Sequence, residues 1–360
     1  MQSTIESSTQ TTTKTQSVKQ ATFSQTQLAS NVEIPTSELE TNALKLFNKK
    51  KGLLLHTKRK PDTTWQQVMG DVENQAGEQG YFKDTDCASI SRDNALHVFG
   101  VTTNNQLFHT IRDRNGQWVS WDNLGQDIGG NYSFSKVSCA VNNNTVHVCA
   151  VTTNGKLLHA KRNSSGVWSN SFTDIGARAH NVGNFIDVGC DVINGHIHLV
   201  TITNFGKLLH IKDFFQESSF TDIEPLIKHN SNYYSVDCAA VGSQLHVCAT
   251  THDHQIRHTL RKSDESWQPF FGDIESQTGD HGKFMQVACA GIGDKLHVCG
   301  VNKDHQVLHT IRNADGGWQT FFGNIAEATD SLKHKYKYRT VSCSPLGNEL
   351  HVCTTTILPN

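Results

Sequence analysis

Long apolar runs are missing from this chain of 360 residues. None approaches the roughly 20 consecutive apolar residues of a bilayer-spanning helix, so no such span is expected. An excess of either charge is missing too: 32 Lys and Arg against 34 Asp and Glu leave a formal net charge of −2. That balance provides no field for nucleic acid or an anionic membrane, and neither is expected as a partner. The start, MQSTIESSTQ, has no basic segment followed by an apolar one. No secretory leader is therefore read there, and a cytoplasmic protein is expected, with unconventional export left open. Residues 1–35 have few apolar side chains and are mostly Ser, Thr and Gln. Such a segment buries too little surface to offset the entropy of ordering, and we expect a disordered tail. Beyond it, ALKLF fits either a short helix or a strand.

What is present is repetition. VHVCAVTTNGKLLHAKR (146–162) recurs as LHVFGVTTNNQLFHTIR, IHLVTITNFGKLLHIKD, LHVCATTHDHQIRHTLR and LHVCGVNKDHQVLHTIR. Its first histidine falls at His97, His147, His198, His246, His297 and His351; its second falls at His56, His109, His159, His210, His258 and His309. Each unit reads as four short alternating strands, A to D, bounded by Gly, Asn and Asp. Four antiparallel strands repeated six times predict an all-β fold, a six-bladed β-propeller over residues 36–360. The first complete strand is of type C and the last of type B. Pairing these N- and C-terminal strands in one blade closes the ring and removes the open edges. Should ALKLF be a further strand, one strand is surplus and seven blades are the alternative.

His147, Cys149 and His159 resemble a metal or nucleophile cluster. Taking Asn154-Gly155 as a two-residue hairpin turn sets Cys149 opposite Ala160 and turns His159 to the other sheet face. One metal could not reach all three, so no metal and no cofactor are expected, and the strand-B histidine is read as packing between blades. The same alignment places Cys139 opposite Cys149, with three further pairs like it. Cys87 and Cys190 meet Phe99 and Val200 instead, so we favour buried free thiols over cross-strand disulfides. The aromatic before each strand-A cysteine (Phe82, Phe134, Phe185, Tyr233, Phe284, Tyr338) is read as core.

Five of the six units end strand C in Arg and open strand D with Trp; the fourth has Asp213 and no Trp, losing both together. Joint loss points to a shared task, either a binding site or a stacked pair bracing the hairpin. A His from one blade and a Trp–Arg pair from the next would line the same cleft. An aromatic ring, a guanidinium fork and an imidazole suit a carbohydrate, and repeated weak sites give avidity.

The unit L-x-H-x-x-R…G-x-W…D-I/L-G, as in LFHTIRDRNGQWVSWDNLGQDIG, resembles bangle-type propeller lectins and, more loosely, tectonin-like propellers. The resemblance spans about residues 50–356. It implies a multivalent, non-enzymatic lectin for fucose-like sugars, with glycans or glycoproteins as partners. By motif position the implied contacts are Arg59 and Trp65; His109, Arg112 and Trp118; His159, Arg162 and Trp168; His258, Arg261 and Trp267; and His309, Arg312 and Trp318. A protein-interaction propeller is the alternative. A sialidase-like hydrolase is a third reading, prompted by the Asp-box-like NADGGW (313–318), but a uniform ring offers no single asymmetric catalytic cluster.

Overall fold

Alternation with period two, broken by short turns, yields six four-stranded antiparallel sheets. The computed structural model describes residues 52–178, 182–216, 219–329 and 336–357, all within the compact unit Lys50–Asn360. The tail of residues 1–35 and the ALKLF segment lie outside the described residues.

Blade 2 shows the pattern: strand A is Phe82–Ile90, B is Ala95–Thr102, C is Leu107–Arg112 and D is Asp122–Asn123. Blades 3 to 6 repeat it from Phe134, Phe185, Tyr233 and Phe284. Blade 1 is composite, as expected. Its strands A and B, Lys337–Leu346 and Glu349–Ile357, come from the C-terminal end of the ring, and C and D, Leu54–Arg59 and Gly70–Asp71, from the other end. Leu54 pairs with Thr355 and Arg59 with Leu350 across this joint, so the ring closes with six blades.

Each strand A packs against the strand A of both neighbouring blades, and together they surround an axial cavity of about 260 Å³. Buried side chains tie the inner strands together. Asp84, Asp86, Asp187 and Asp237 accept hydrogen bonds from the backbone N–H of Val137, Cys139, Val236 and Cys289 in the next blade, at 2.7–2.9 Å. These acceptors satisfy N–H groups that water does not reach. Both faces of every blade are covered, so strand B is apolar on both: Val146, Val148 and Ala150 on one, Cys149 and Val151 on the other, all buried. The six aromatics at the start of strand A are 0–3% exposed, as read from the sequence.

Two turns correct the expected register. The B–C turn of blade 3 has three residues, not two. Val151 pairs with Leu157, and Gly155 is left-handed, at φ 78°. The corresponding positions are Asn105, Gly206, His254 and His305, all at positive φ. A three-residue loop with one left-handed residue shifts the pairing by one, and a one-residue shift moves every side chain to the other face. Cys149 therefore lies opposite His159, not Ala160. The A–B turn is the two-residue Asn143-Asn144, both left-handed, so Cys139 pairs with Val148 and Ser138 with Cys149. The expected Cys139/Cys149 facing is not formed; all ten cysteines are free and buried.

Strand D also differs from expectation. Trp does not lie in it but bridges back to Arg, as in Arg162↔Trp168. The ordered strand D has two residues. A helical turn of four or five residues follows it in each blade. An Asp or Asn side chain starts that turn: Asn123 accepts from Gln126 N–H at 3.3 Å, and Asp174 from Ala177 N–H at 2.9 Å.

Candidate functional site

The corrected register brings the two histidines of each blade onto one face. His97 and His109, His147 and His159, and their counterparts in the other four blades meet ring to ring, strand-B Nδ1 or its equivalent against strand-C nitrogen, at 2.9–3.0 Å. The partner of the strand-B histidine is thus strand C of its own blade. Burial lowers His147, His198, His246 and His297 to about 4 and His97 to about 2. The strand-C rings of His56, His159, His210, His258 and His309 fall well below the usual range, again chiefly by burial. Each dyad is a neutral N–H···N pair.

The next blade supplies the lid. Trp168 of blade 3 meets His109 of blade 2 edge-on, with ring centroids 5.4 Å apart. Trp118 covers His56, Trp267 covers His210, Trp318 covers His258 and Trp65 covers His309, at 5.4–5.5 Å. The structure thus gathers a His from one blade and the Trp–Arg pair of the next at one seam. His109, His159, His258 and His309 are 0–5% exposed, and every Trp and Arg of the set is half-buried.

The turn between Arg and Trp is built the same way in five blades. An Asp or Asn one to three residues after the Arg accepts from backbone N–H groups two residues on: Asp62 from Thr64, Asp113 from Asn115, Asn163 from Ser165, Asp264 from Ser266 and Asp315 from Gly317, at 2.9–3.0 Å. The Asp-box-like NADGGW is therefore one of five structural turns. Its left-handed residue is Gly116, Gly166 or Gly316 in three blades, Thr63 in blade 1 and Glu265 in blade 5. Missing side chains matter here. A Cβ on Gly116 would stand 2.7 Å from Arg112 Nη2, and one on Gly166 2.9 Å from Arg162 Nη2. The guanidinium packs directly against the glycine.

Charge partners then separate the five arginines. Arg261 Nη2 is 3.1 Å from Glu265, whose other oxygen takes Lys212 of blade 4 at 2.8 Å. These groups line a cavity of about 60 Å³ at that seam. Among the described residues, the guanidinium groups of Arg59, Arg112, Arg162 and Arg312 have neither a hydrogen bond nor an ion pair. Arg162 Nε and Trp168 Nε1 are buried without any partner.

The sixth seam is closed by apolar side chains. In blade 4, Asp213 adopts φ 46° and accepts from Ile197 N–H at 3.1 Å and from His196. Phe214 and Phe215 then take the place of Trp over His159, each with its centroid 5.0 Å away, and Phe214 is 1% exposed. Sequence reasoning left out His210, because its own unit lacks Arg and Trp. The lid comes from the following unit, so His159 is the one that loses its Trp. His56 and Glu265 were also missed; only the left-handed turn position, where glycine is the rule, singles out Glu265. No group of three or more His, Cys, Asp or Glu among the described residues is placed to hold a metal ion, and no described helix is long and apolar enough to cross a membrane.

No protein-family model matches the sequence, and no curated protein matches it. Solved structures do match in fold. The six-bladed propeller of the fungal Aleuria aurantia lectin, described with a fucose recognition mode, is 15% identical, with a TM-score of 0.53 over 73% of this chain and 83% of that one. The SapL1 lectin, solved with alpha methyl fucoside, is 12% identical, with a TM-score of 0.50 over 73% and 86%. Human WBSCR16 is 9% identical, with a TM-score of 0.50 over 85% and 98%. These likenesses establish the propeller; structural neighbours include fucose-specific lectins.

Proposed function

We propose that this chain is a non-enzymatic carbohydrate-binding propeller that holds fucose-like sugars at the seams between blades. The observation that carries the reading is the set of four half-buried guanidinium groups without a protein acceptor among the described residues. A guanidinium drawn partly out of water is ordinarily paired, so an unpaired one at a seam has N–H donors to offer to hydroxyl or carboxylate oxygens. The adjoining Trp offers a flat apolar face of the kind that stacks on a sugar ring. In this reading Arg112 with Trp118, Arg162 with Trp168, Arg312 with Trp318 and Arg59 with Trp65 touch the ligand. His109, His258, His309 and His56 lie underneath and fix the Trp orientation. Four equivalent sites on one ring favour multivalent glycans over single sugars by effective concentration. The likeness to fucose-specific lectins supports the choice of sugar.

The test is titration calorimetry with methyl α-L-fucoside, preceded by a glycan array. Binding is expected for the unmodified protein and a loss of at least tenfold in affinity for the triple variant Arg112→Ala, Arg162→Ala, Arg312→Ala. An array without hits, or a triple variant that binds undiminished, overturns the proposal.

A further inference from the structure

The cysteines that fail to face each other within a blade meet across the seams instead. Each strand-A cysteine packs on strand B of the preceding blade. Cys190 Sγ lies 3.4 Å from Ser138 Oγ, and Ser138 is the cross-strand neighbour of Cys149. Cys87 Sγ lies 3.7 Å from Ser342 Oγ, and Ser342 is the cross-strand neighbour of Cys353. Cys289 N–H bonds Asp237, which is paired with Cys248. The same packing sets Cys343 on Cys299. Strand B of one blade and strand A of the next pack side by side at all four seams, and each strand-A thiol is in hydrogen-bonding contact with the strand-B thiol of the preceding blade. The two remaining cysteines belong to apolar clusters, Cys139 in the one that holds Phe99 and Cys238 in the one that holds Val200.

We propose that Cys87/Cys353, Cys149/Cys190, Cys248/Cys289 and Cys299/Cys343 are disulfide-forming sites that stitch adjacent blades, closed by exchange with a low-molecular-weight disulfide as the blades dock. One protein thiolate attacks the small disulfide and expels one small thiol, leaving a mixed disulfide. The partner thiolate then attacks the protein sulfur and expels the second small thiol. Two protein S–H groups are oxidised, one small disulfide is reduced, and the two protons leave with the two small thiols. Contact with Cys353 and burial both raise the Cys87 thiol, and contact with Cys149 and burial raise Cys190. All eight thiols are buried once the seam is shut, out of reach of a small disulfide, which places the exchange during docking and makes both the thiol and the disulfide state persist once formed.

The test is refolding from denaturant in mixed oxidised and reduced glutathione, then alkylation and peptide mapping without reduction. Four linked peptide pairs are expected, with the alkyl label on Cys139 and Cys238 alone. The oxidised protein should unfold at a higher denaturant concentration than the reduced one. Ten labelled cysteines, or a Cys139–Cys149 link, overturns the proposal. Cys353→Ser separates pairing from chance oxidation: it should label Cys87 and leave the other three links intact. Should Cys353→Ser fail to fold, Cys149→Ser makes the same distinction at Cys190.

Discussion

Arg261 differs from its four counterparts by one neighbour. Glu265 occupies the left-handed turn position, at φ 69°, and pairs with the guanidinium. Replacing it with glycine removes the carboxylate and relaxes the backbone. Glu265→Gly should therefore raise the calorimetric stoichiometry for methyl α-L-fucoside from four sites per chain to five. An unchanged count, with binding otherwise intact, would show that Arg261 is closed for another reason. Phe214 makes the opposite case. It is fully buried against His159, and Phe214→Ala should cost about 3–5 kcal/mol through lost contacts and the cavity left behind. The midpoint of urea unfolding reads that cost, with no change expected in the number of sugar sites.

Among elements, the turns decide which side chains meet. Gly116→Ala places a methyl group 2.7 Å from Arg112 Nη2 on a residue at φ 83°. It should cost on the order of 1 kcal/mol and displace that guanidinium. Loss of a single site without loss of the fold is the expected calorimetric result. These turns also show how far the sequence could be read. Spacing and alternation revealed six blades and the composite closing blade, because they repeat over the whole ring. Turn length is a matter of one residue. TTNGK is compatible with two- and three-residue loops, and only the structure shows that Asn154 stays right-handed while Gly155 does not. That one residue decides whether His159 faces Cys149 or turns away. The Trp–Arg pair was legible because one unit lacks it. Its pairing with a His of the neighbouring blade was legible too, from the opposite faces that His and Arg take on one strand; that the fourth unit's loss falls on His159 and leaves His210 covered was missed.

In the whole molecule, the six dyads make twelve buried imidazoles a shared liability in acid. An unfolded histidine titrates near 6.5, whereas His147, His198, His246 and His297 are held to about 4. Between those values the unfolded chain binds more protons than the folded one. Stability is thus fully present above pH 6.5 and falls as pH drops toward 4. The inner-strand carboxyls act in the opposite sense. Burial raises Asp84 to about 6 and Asp86 to about 7, so their contribution weakens as pH rises through that range. The histidines are more numerous, and the thermal midpoint should drop more between pH 6.5 and 4 than between pH 8 and 6.5. A flat profile across the lower window would mean the dyads protonate without opening the seams.

The composite blade ties this ring to the time course of its own synthesis. Lys58 and Glu349 form an ion pair across 291 positions of sequence. At roughly 5–20 residues per second, the ribosome takes about 15–60 s to travel that distance. For all of that interval the strand Leu54–Arg59 has no partner for its second edge, and the blades finished meanwhile form an open arc. An unpaired edge is a template for another chain. A nascent chain stalled before residue 337 would present it indefinitely, and neighbouring ribosomes on the same message would bring such edges together at high local concentration.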